Sequence, residues 1–183
     1  MLVVNRRVYS TYYVCSIKLK INLNTMEKIL QSFYTVRFND CDPFGHLNNA
    51  RYIDYFLNAR EDHLRDGYQM KLSDFAKRGI GWVVSNHEIY YVRPALYNEN
   101  VSIQSAAIEL AEGHLLVEML MQDEARQNNK AIMWSKFTCI NLKTGKRENH
   151  PEDFMVFAKQ VIENSIDVSK GLKGRLSQLS SKL

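Results

Sequence analysis

The sequence predicts an α+β domain in which an antiparallel sheet wraps around one long central helix. One strand-like segment precedes a long amphipathic helix, and four strand-like segments follow it at the spacing of hairpins. The helix stripe and the inner face of the sheet are both apolar, so neither can remain in water. A curved sheet that covers the helix buries both surfaces.

The chain has 183 residues, 45% of them hydrophobic, which suffices for one buried core. We expect three parts: residues 1–25 as a disordered extension or upstream reading frame before a start at Met26, residues 26–164 as the folded domain, and residues 165–183 as a polar C-terminal tail. No apolar run approaches the length that spans a bilayer, and residues 1–25 lack the continuous apolar run of a signal peptide.

The first strand is predicted at Ser32–Phe38, where β-forming residues alternate. The long helix is predicted to start at Asn48 or Asn49 and to run to Asp66, because Asn is a good N-cap and Gly67 supplies a stop. Its apolar positions follow helical spacing, at Tyr52, Ile53, Phe56, Leu57 and Leu64.

The remaining elements follow in order. The four later strands are predicted at Gly81–Arg93, Val101–Leu110, His114–Asp123 and Ala131–Asn141. Apolar residues on both faces of 82–94 indicate a strand that meets the helix on one side and a partner on the other. Leu72–Lys77 is a short helix or an irregular link, and Glu152–Glu163 is predicted to be helical after Pro151.

Composition excludes several function classes. The positive charge lies at the two ends of the chain, and the middle carries no basic stripe, so we expect no nucleic-acid partner. Three widely spaced cysteines indicate no disulfide framework and a reducing, cytoplasmic location. The terminal Ser181-Lys182-Leu183 matches a peroxisomal address, which would apply if the source is eukaryotic.

The stretch NDCDPFGHLNNARY, Asn39 to Tyr52, concentrates polar residues before the helix. It superficially copies a calcium loop, but Phe44 and Arg51 stand where oxygen ligands are needed. Cys41 and His46 lack further zinc ligands at a recognised spacing. We therefore expect no metal and no cofactor.

Two interpretations of this stretch remain open from the residues alone. It can be a turn with a single helix cap, since Asp-Pro and Phe-Gly favour turns and Asn caps helices. It can also be an active site, because a carboxylate, a glycine and a histidine are aimed at a helix N-terminus. Unpaired amides and a partial positive charge at that end can hold an anion or an oxyanion.

The segment from Asp40 to His46, followed by Leu47-Asn48-Asn49 and Tyr52, resembles the signature of hotdog-fold acyl-CoA thioesterases of the 4-hydroxybenzoyl-CoA thioesterase-like group. His46 to Ile53 is also similar to the motif of acyl-carrier-protein thioesterases. Tyr91 to Ala95 with Asn98 to Val101 is similar to the family's next strand and turn. The resemblance implies a hotdog fold that assembles as a homodimer or homotetramer.

The resemblance also implies roles for individual residues. Asp42 matches the catalytic carboxylate, which attacks the thioester carbonyl or activates water, and the Asn49 amide matches the donor that polarises the thioester oxygen. Gly45 would let the acyl group approach the backbone. His46 either takes part in the reaction or orients the loop. Further substrate contacts are expected from Asn48, Tyr52 and Arg93.

The function implied is hydrolysis of an acyl-CoA to a free acid and CoA. Two alternatives stay open: a non-catalytic acyl-binding module, and an acyl-carrier-protein thioesterase, which needs a basic docking patch. The candidates for that patch are Arg51, Arg60 and Arg93. A hydratase or dehydratase is disfavoured by the spacing of Asp and His. We expect structural roles for the remaining histidines and no nucleophilic role for Cys41, which lies between two acids.

Overall fold

The computed structural model of the protein describes residues 26–180, so the predicted N-terminal extension and the terminal Ser-Lys-Leu tripeptide lie outside the described residues. In chain order the helices and strands are β1 (Leu30–Thr35), α1 (Asn49–Asp62), α2 (Leu72–Lys77), β2 (Ile80–Tyr91), β3 (Asn100–Leu110), β4 (His114–Asp123), β5 (Asn129–Asn141), α3 (Glu152–Val161) and α4 (Gly171–Ser180).

The five strands form one antiparallel sheet in the order β1-β3-β4-β5-β2. One face of this sheet packs against α1. Tyr52 and Phe56 of α1 belong to the same buried cluster as Val101, Val117 and Met133 of the strands. Burial of these side chains is the main stabilising contribution, roughly 1.5–3 kcal/mol for each large apolar residue. The predicted α+β hotdog class, a sheet around a central helix, is confirmed.

The long helix starts where the sequence predicts. Asn48 is the N-cap, and its Oδ1 accepts the Ala50 amide at 3.0 Å. Regular α-helix ends at Asp62 and continues as a π-helical turn, His63–Gly67. The predicted end at Asp66 therefore marks the end of the helical segment, although the last turn has a different hydrogen-bond pattern.

The strand predictions differ from the structure mainly at β1. This strand ends at Thr35, before the predicted Phe38, because the chain enters a 3-10 turn at Phe38–Asp40. The Val36 amide donates to the Glu99 carbonyl at 2.9 Å, where the chain leaves the sheet. The four later strands lie within two residues of their predicted bounds.

The C-terminal segment is not the unpacked polar tail that we expected. Residues 171–180 form α4, which covers the face of the sheet opposite α1. Leu172 is completely buried beside Ile132 and Trp134. Arg175 binds the buried Glu118 of β4 through two nitrogens, with its Nη2 and the Glu118 Oε1 at 2.9 Å. The polar composition conceals a narrow apolar stripe, and that stripe determines the packing.

A buried histidine links the helical segment to the sheet. His63 is 4% exposed, and its ring nitrogens lie 2.7 Å from the Ser105 Oγ and 3.0 Å from the Ser32 Oγ. Burial, together with the charge of Arg60, lowers the pKa of His63 to about 4. The imidazole is therefore neutral in the folded protein at pH 7.

We expect His63 to make the stability of the protein depend on pH. Between its unfolded pKa and its lower folded pKa the unfolded chain binds a proton that the folded protein does not. The free energy of unfolding therefore falls on acidification, with about 2 kcal/mol attributable to His63 between pH 7 and pH 5. Urea unfolding of the wild type and His63→Gln at both pH values checks this. An equal loss in the two proteins would contradict it.

Candidate active site

The polar stretch before α1 folds back on itself as a closed loop. An antiparallel bridge pairs Cys41 with Leu47, and the Asn48 amide donates to the Asp40 carbonyl at 2.9 Å. These contacts bring the segment carrying Asp42 alongside the first residue of α1. Folding thus places the predicted carboxylate and the predicted helix end in one loop.

The Asp42 carboxylate is held by the loop backbone. Its Oδ1 accepts the amides of Phe44 and His46 at 2.9 and 3.0 Å. Gly45 has a φ of +77°, a conformation that L side chains rarely adopt, and its amide donates to the Asp42 carbonyl at 3.0 Å. Within residues 26–180, Oδ2 has no hydrogen-bond partner. One oxygen is therefore fixed and the other is available for chemistry.

The N-terminus of α1 leaves one amide available. The Ala50 amide is capped by the Asn48 side chain, and the Arg51 amide donates to the Asn48 carbonyl at 2.8 Å. The Asn49 amide has no acceptor among the described residues. An unpaired amide at a helix N-terminus, where the helix dipole is positive, suits a developing oxyanion.

A second loop, between β2 and β3, supports the first. The Leu47 amide donates to the Ala95 carbonyl at 2.8 Å, and the Tyr97 amide donates to the Gly45 carbonyl at 2.9 Å. This is the loop in which the sequence shows its second, weaker similarity to the family. Its role is to hold the Asp42 loop in place.

Two of the predicted substrate-binding residues, Tyr52 and Arg93, use their side chains in hydrogen bonds with other loops of the protein. Tyr52 is 2% exposed, and its hydroxyl accepts the Ala95 amide at 2.9 Å, so it holds the loop between β2 and β3, and its predicted contact with substrate remains a prediction. Arg93 donates to the Asn128 side chain in the turn between β4 and β5. Its predicted contact with substrate remains a prediction.

Asp40 and Cys41, which precede Asp42, have structural roles. The Tyr55 hydroxyl donates to Asp40 Oδ2 at 2.9 Å, so Asp40 ties the loop to α1. Burial, reinforced by Asp40 and Asp42, raises the pKa of the Cys41 thiol. A raised pKa disfavours the thiolate, in agreement with the expectation that Cys41 is not a nucleophile.

The basic patch proposed for a carrier-protein partner does not form from its three candidates. Arg60 is 6% exposed and lies inside the protein. The exposed Arg51 is paired with Asp54, with Arg51 Nη1 2.9 Å from Asp54 Oδ2. Arg93 donates to the Asn128 side chain, so the three arginine side chains do not form a shared docking surface. The structure therefore offers no observation that favours this alternative.

The other histidines have structural partners. His87 Nδ1 lies 2.7 Å from the Ser135 Oγ, and the Trp82 indole donates to His150 Nδ1 at 3.0 Å. His114 Nε2 lies 3.3 Å from Glu109 Oε1. Burial lowers the pKa of His87 and of His150. With His63 already bonded to two serines, the histidines outside the loop support the fold.

Sequence analysis missed the apolar surroundings of the loop. Four large side chains near it are exposed, namely Phe38, Phe44, Leu96 and Tyr97. The rings of Phe38 and Tyr97 meet edge to face with their centroids 5.9 Å apart. The signal was available, because Phe38 and Phe44 stand within an otherwise polar stretch, where an apolar side chain has no core to enter.

Within residues 26–180, no group of three or more His, Cys, Asp or Glu side chains is arranged to hold a metal ion. In the same part of the chain, no helix has the length and apolarity needed to traverse a bilayer.

Comparison with known proteins gives consistent matches. A family model described as the thioesterase-like superfamily matches residues 36–157. The long-chain acyl-CoA thioesterase FadM of Escherichia coli is 32% identical over 121 residues, which cover 64% of this chain and 87% of that protein.

Solved structures share the fold. The crystal structure of YbaW, a probable thioesterase from Escherichia coli, matches with a TM-score of 0.63 and 28% identity, covering 73% of this chain and 98% of that one. A 1,4-dihydroxy-2-naphthoyl-CoA thioesterase from Synechocystis matches with a TM-score of 0.65 and 14% identity, covering 72% and 96% of the two chains. At such low identity the second match shows the fold alone.

Proposed function

Since the chain belongs to the thioesterase-like superfamily and is a thioester hydrolase, we propose that its substrate is an acyl-CoA, which it splits into a free acid and CoA. One observation carries the proposal. Among residues 26–180, the same closed loop presents a carboxylate with one oxygen that has no partner, at Asp42, and a helix amide that has no acceptor, at Asn49. Thioester hydrolysis needs both groups at one carbonyl.

In the proposed reaction the thioester oxygen accepts a hydrogen bond from the Asn49 N–H. This hydrogen bond stabilises the negative charge that develops on the oxygen as the carbonyl carbon is attacked. Asp42 Oδ2 either takes a proton from the attacking water or attacks the carbon itself to form an anhydride that water then opens. In both routes the C–S bond breaks, the thiolate leaves and takes up a proton, and water supplies the oxygen of the acid.

We propose that His46 assists the reaction, and two of its groups bear on this proposal. Its amide donates to Asp42 Oδ1, which is a backbone contact that any residue at this position can make. Its imidazole lies beside Phe44, with the ring centroids 6.5 Å apart. Because the backbone amide orients the carboxylate, the imidazole is not needed for that contact, and we propose His46 as a catalytic candidate.

Gly45 provides a test of substrate approach with a matched control elsewhere. Gly45 and Gly145 both have a positive φ, and a Cβ added at either would meet no described atom within 4 Å. Alanine at either position should cost about 1–2 kcal/mol of stability through backbone strain. We expect Gly45→Ala alone to lower kcat/KM, by roughly tenfold, since its methyl group narrows the approach of the acyl group. Similar losses of activity in both variants would contradict this role.

We also infer that two copies of the chain associate through β2. This strand lies at the edge of the sheet. Three of its apolar side chains are exposed, namely Val83, Val84 and Tyr91, and so is Val92, which follows the strand. An exposed apolar edge strand is a surface for pairing. Light scattering after size exclusion should give the mass of a dimer or a tetramer.

The proposed activity is tested by thiol release from a panel of short-chain, long-chain and aromatic acyl-CoAs. Release from at least one of them, with normal Michaelis–Menten saturation, is the expected result. Folded protein that releases thiol from none of them would overturn the proposal and would leave an acyl-binding role for the loop.

A further inference from the structure

An apolar cavity of about 230 Å³, partly open to the surface beside Leu72 and Val84, lies away from the Asp42 loop. It is bounded by the second half of α1, the sheet, and helices α2 and α3. Apolar side chains form most of its wall, among them Leu64, Trp82, Val117, Phe137, Phe154 and Phe157. A cavity with such a lining suits a hydrocarbon chain.

Two charged side chains, Arg60 and Glu61, border this apolar wall, and of the two only Arg60 is buried. Arg60 lines the cavity and is 6% exposed. A guanidinium has five N–H donors, and within residues 26–180 the side chain of Arg60 makes one hydrogen bond, from Nη1 to the Ser105 Oγ at 3.3 Å. Burial lowers the pKa of Arg60. The guanidinium is thus poorly satisfied and lies in an apolar environment.

No acidic side chain of the described residues compensates this charge. Glu61, which also borders the cavity, is exposed and forms no ion pair with Arg60 in this part of the chain. His63, which shares the Ser105 hydroxyl with Arg60, is neutral because of its low pKa. Residues 1–25 contain no Asp or Glu. A buried charge without a counter-charge is costly, and proteins normally pair it.

Arg60 is aligned with the proposed reaction centre. It follows Asn49 by eleven residues, which is close to three helical turns, so the two residues lie on the same side of α1, about 16 Å apart along its axis. Helical side chains lean towards the N-terminus, which shortens the gap between the guanidinium and the helix start. A medium-length acyl chain spans such a distance.

We propose that the cavity receives the far end of an acyl chain that carries a terminal carboxylate, and that Arg60 binds this carboxylate. The substrate class is then the CoA monothioester of a medium-chain dicarboxylic acid. A carboxylate can accept two parallel N–H bonds from one guanidinium, which supplies the missing charge and acceptors together. This inference rests on the proposed acyl-CoA thioesterase function and specifies its substrate.

The test compares decanoyl-CoA with decanedioyl-CoA, which differ only in the group at the far end. We expect the wild type to hydrolyse decanedioyl-CoA with a kcat/KM about tenfold or more above that for decanoyl-CoA. Arg60→Met removes the charge at similar length and should abolish this preference. Arg65→Met, which removes an exposed arginine five residues further along, should preserve it.

The outcomes separate this inference from the proposed function. Equal hydrolysis of the two thioesters by the wild type would overturn the role of Arg60 while the thioesterase activity stands. If neither thioester is hydrolysed, free decanedioate serves as the probe. A rise in the Tm of the wild type that Arg60→Met lacks would support the carboxylate site. No rise in the Tm of the wild type would overturn that site. An equal rise with decanoate, combined with no preference in turnover, would assign Arg60 to the product carboxylate and overturn the substrate inference.

Discussion

We expect Asp42→Asn to lower kcat for acyl-CoA hydrolysis by about 10³-fold while the protein stays folded. The asparagine oxygen can still accept the amides of Phe44 and His46, so the loop keeps its shape. The group that replaces the free Oδ2 is an amide nitrogen, which can neither take a proton from water nor attack a carbonyl. The loss should appear in kcat, with KM changed much less, in steady-state measurements of thiol release.

Asp40→Asn is the matched control for this variant. It makes the same chemical change two residues away, and asparagine can still accept the Tyr55 hydroxyl. We expect its kcat to remain within a few-fold of the wild type. Equal losses in the two variants would indicate that the loop, rather than the Asp42 carboxylate, had been damaged, and the assignment of Asp42 to the reaction would fail.

The largest expected effect on stability comes from the contact between α4 and the sheet. Glu118 is 5% exposed and is paired with Arg175 Nη2. Its Oε2 also accepts hydrogen bonds from the Trp134 indole and from Arg175 Nε, each at 2.9 Å. Arg175→Met leaves this carboxylate buried without its cation. We expect the free energy of unfolding to fall by about 3 kcal/mol, measured by urea denaturation.

Two further variants locate the cause of that loss. Adding Glu118→Gln to Arg175→Met removes the unpaired charge and keeps an acceptor for Trp134, so most of the stability should return. Arg78→Met breaks an exposed ion pair with Asp153 and should cost less than about 1 kcal/mol. If Arg175→Met costs no more than Arg78→Met, α4 does not rest on Glu118 in solution.

Much of the fold follows from local patterns. Alternation of apolar and polar residues identified the strands of the hairpins, because each strand has one face towards the core. The cap and stop signals located α1. Two regions needed tertiary information. Strand β1 ends early since its continuation bonds to the β2–β3 loop, and α4 depends on Leu172, Leu176 and Leu179, whose helical spacing is diluted by glycines and polar residues.

The candidate site could be predicted from the sequence because the stretch before α1 contains more polar residues than a helix cap requires. Asp42 and Asn49 belong to one continuous stretch, so their proximity needs only a tight loop. The motif alone indicates a substrate contact for Tyr52, and only the packed structure shows that its ring lies in the core. Arg60 lies four residues after Phe56 on the same stripe, yet an isolated arginine does not reveal its burial without the helices that cover it.

The loop with Asp42 and the cavity with Arg60 are built from different parts of the chain. The loop is held by residues 38–49 and 95–97, whereas the outer wall of the cavity comes from α2 and α3. If the cavity receives the acyl chain as proposed, substitutions in those two helices alter which acyl groups fit while leaving the hydrogen bonds around Asp42 unchanged. Selectivity and reactivity can diverge independently among descendants of such a protein, and a laboratory library confined to α2 and α3 should yield variants with new chain preferences and intact turnover.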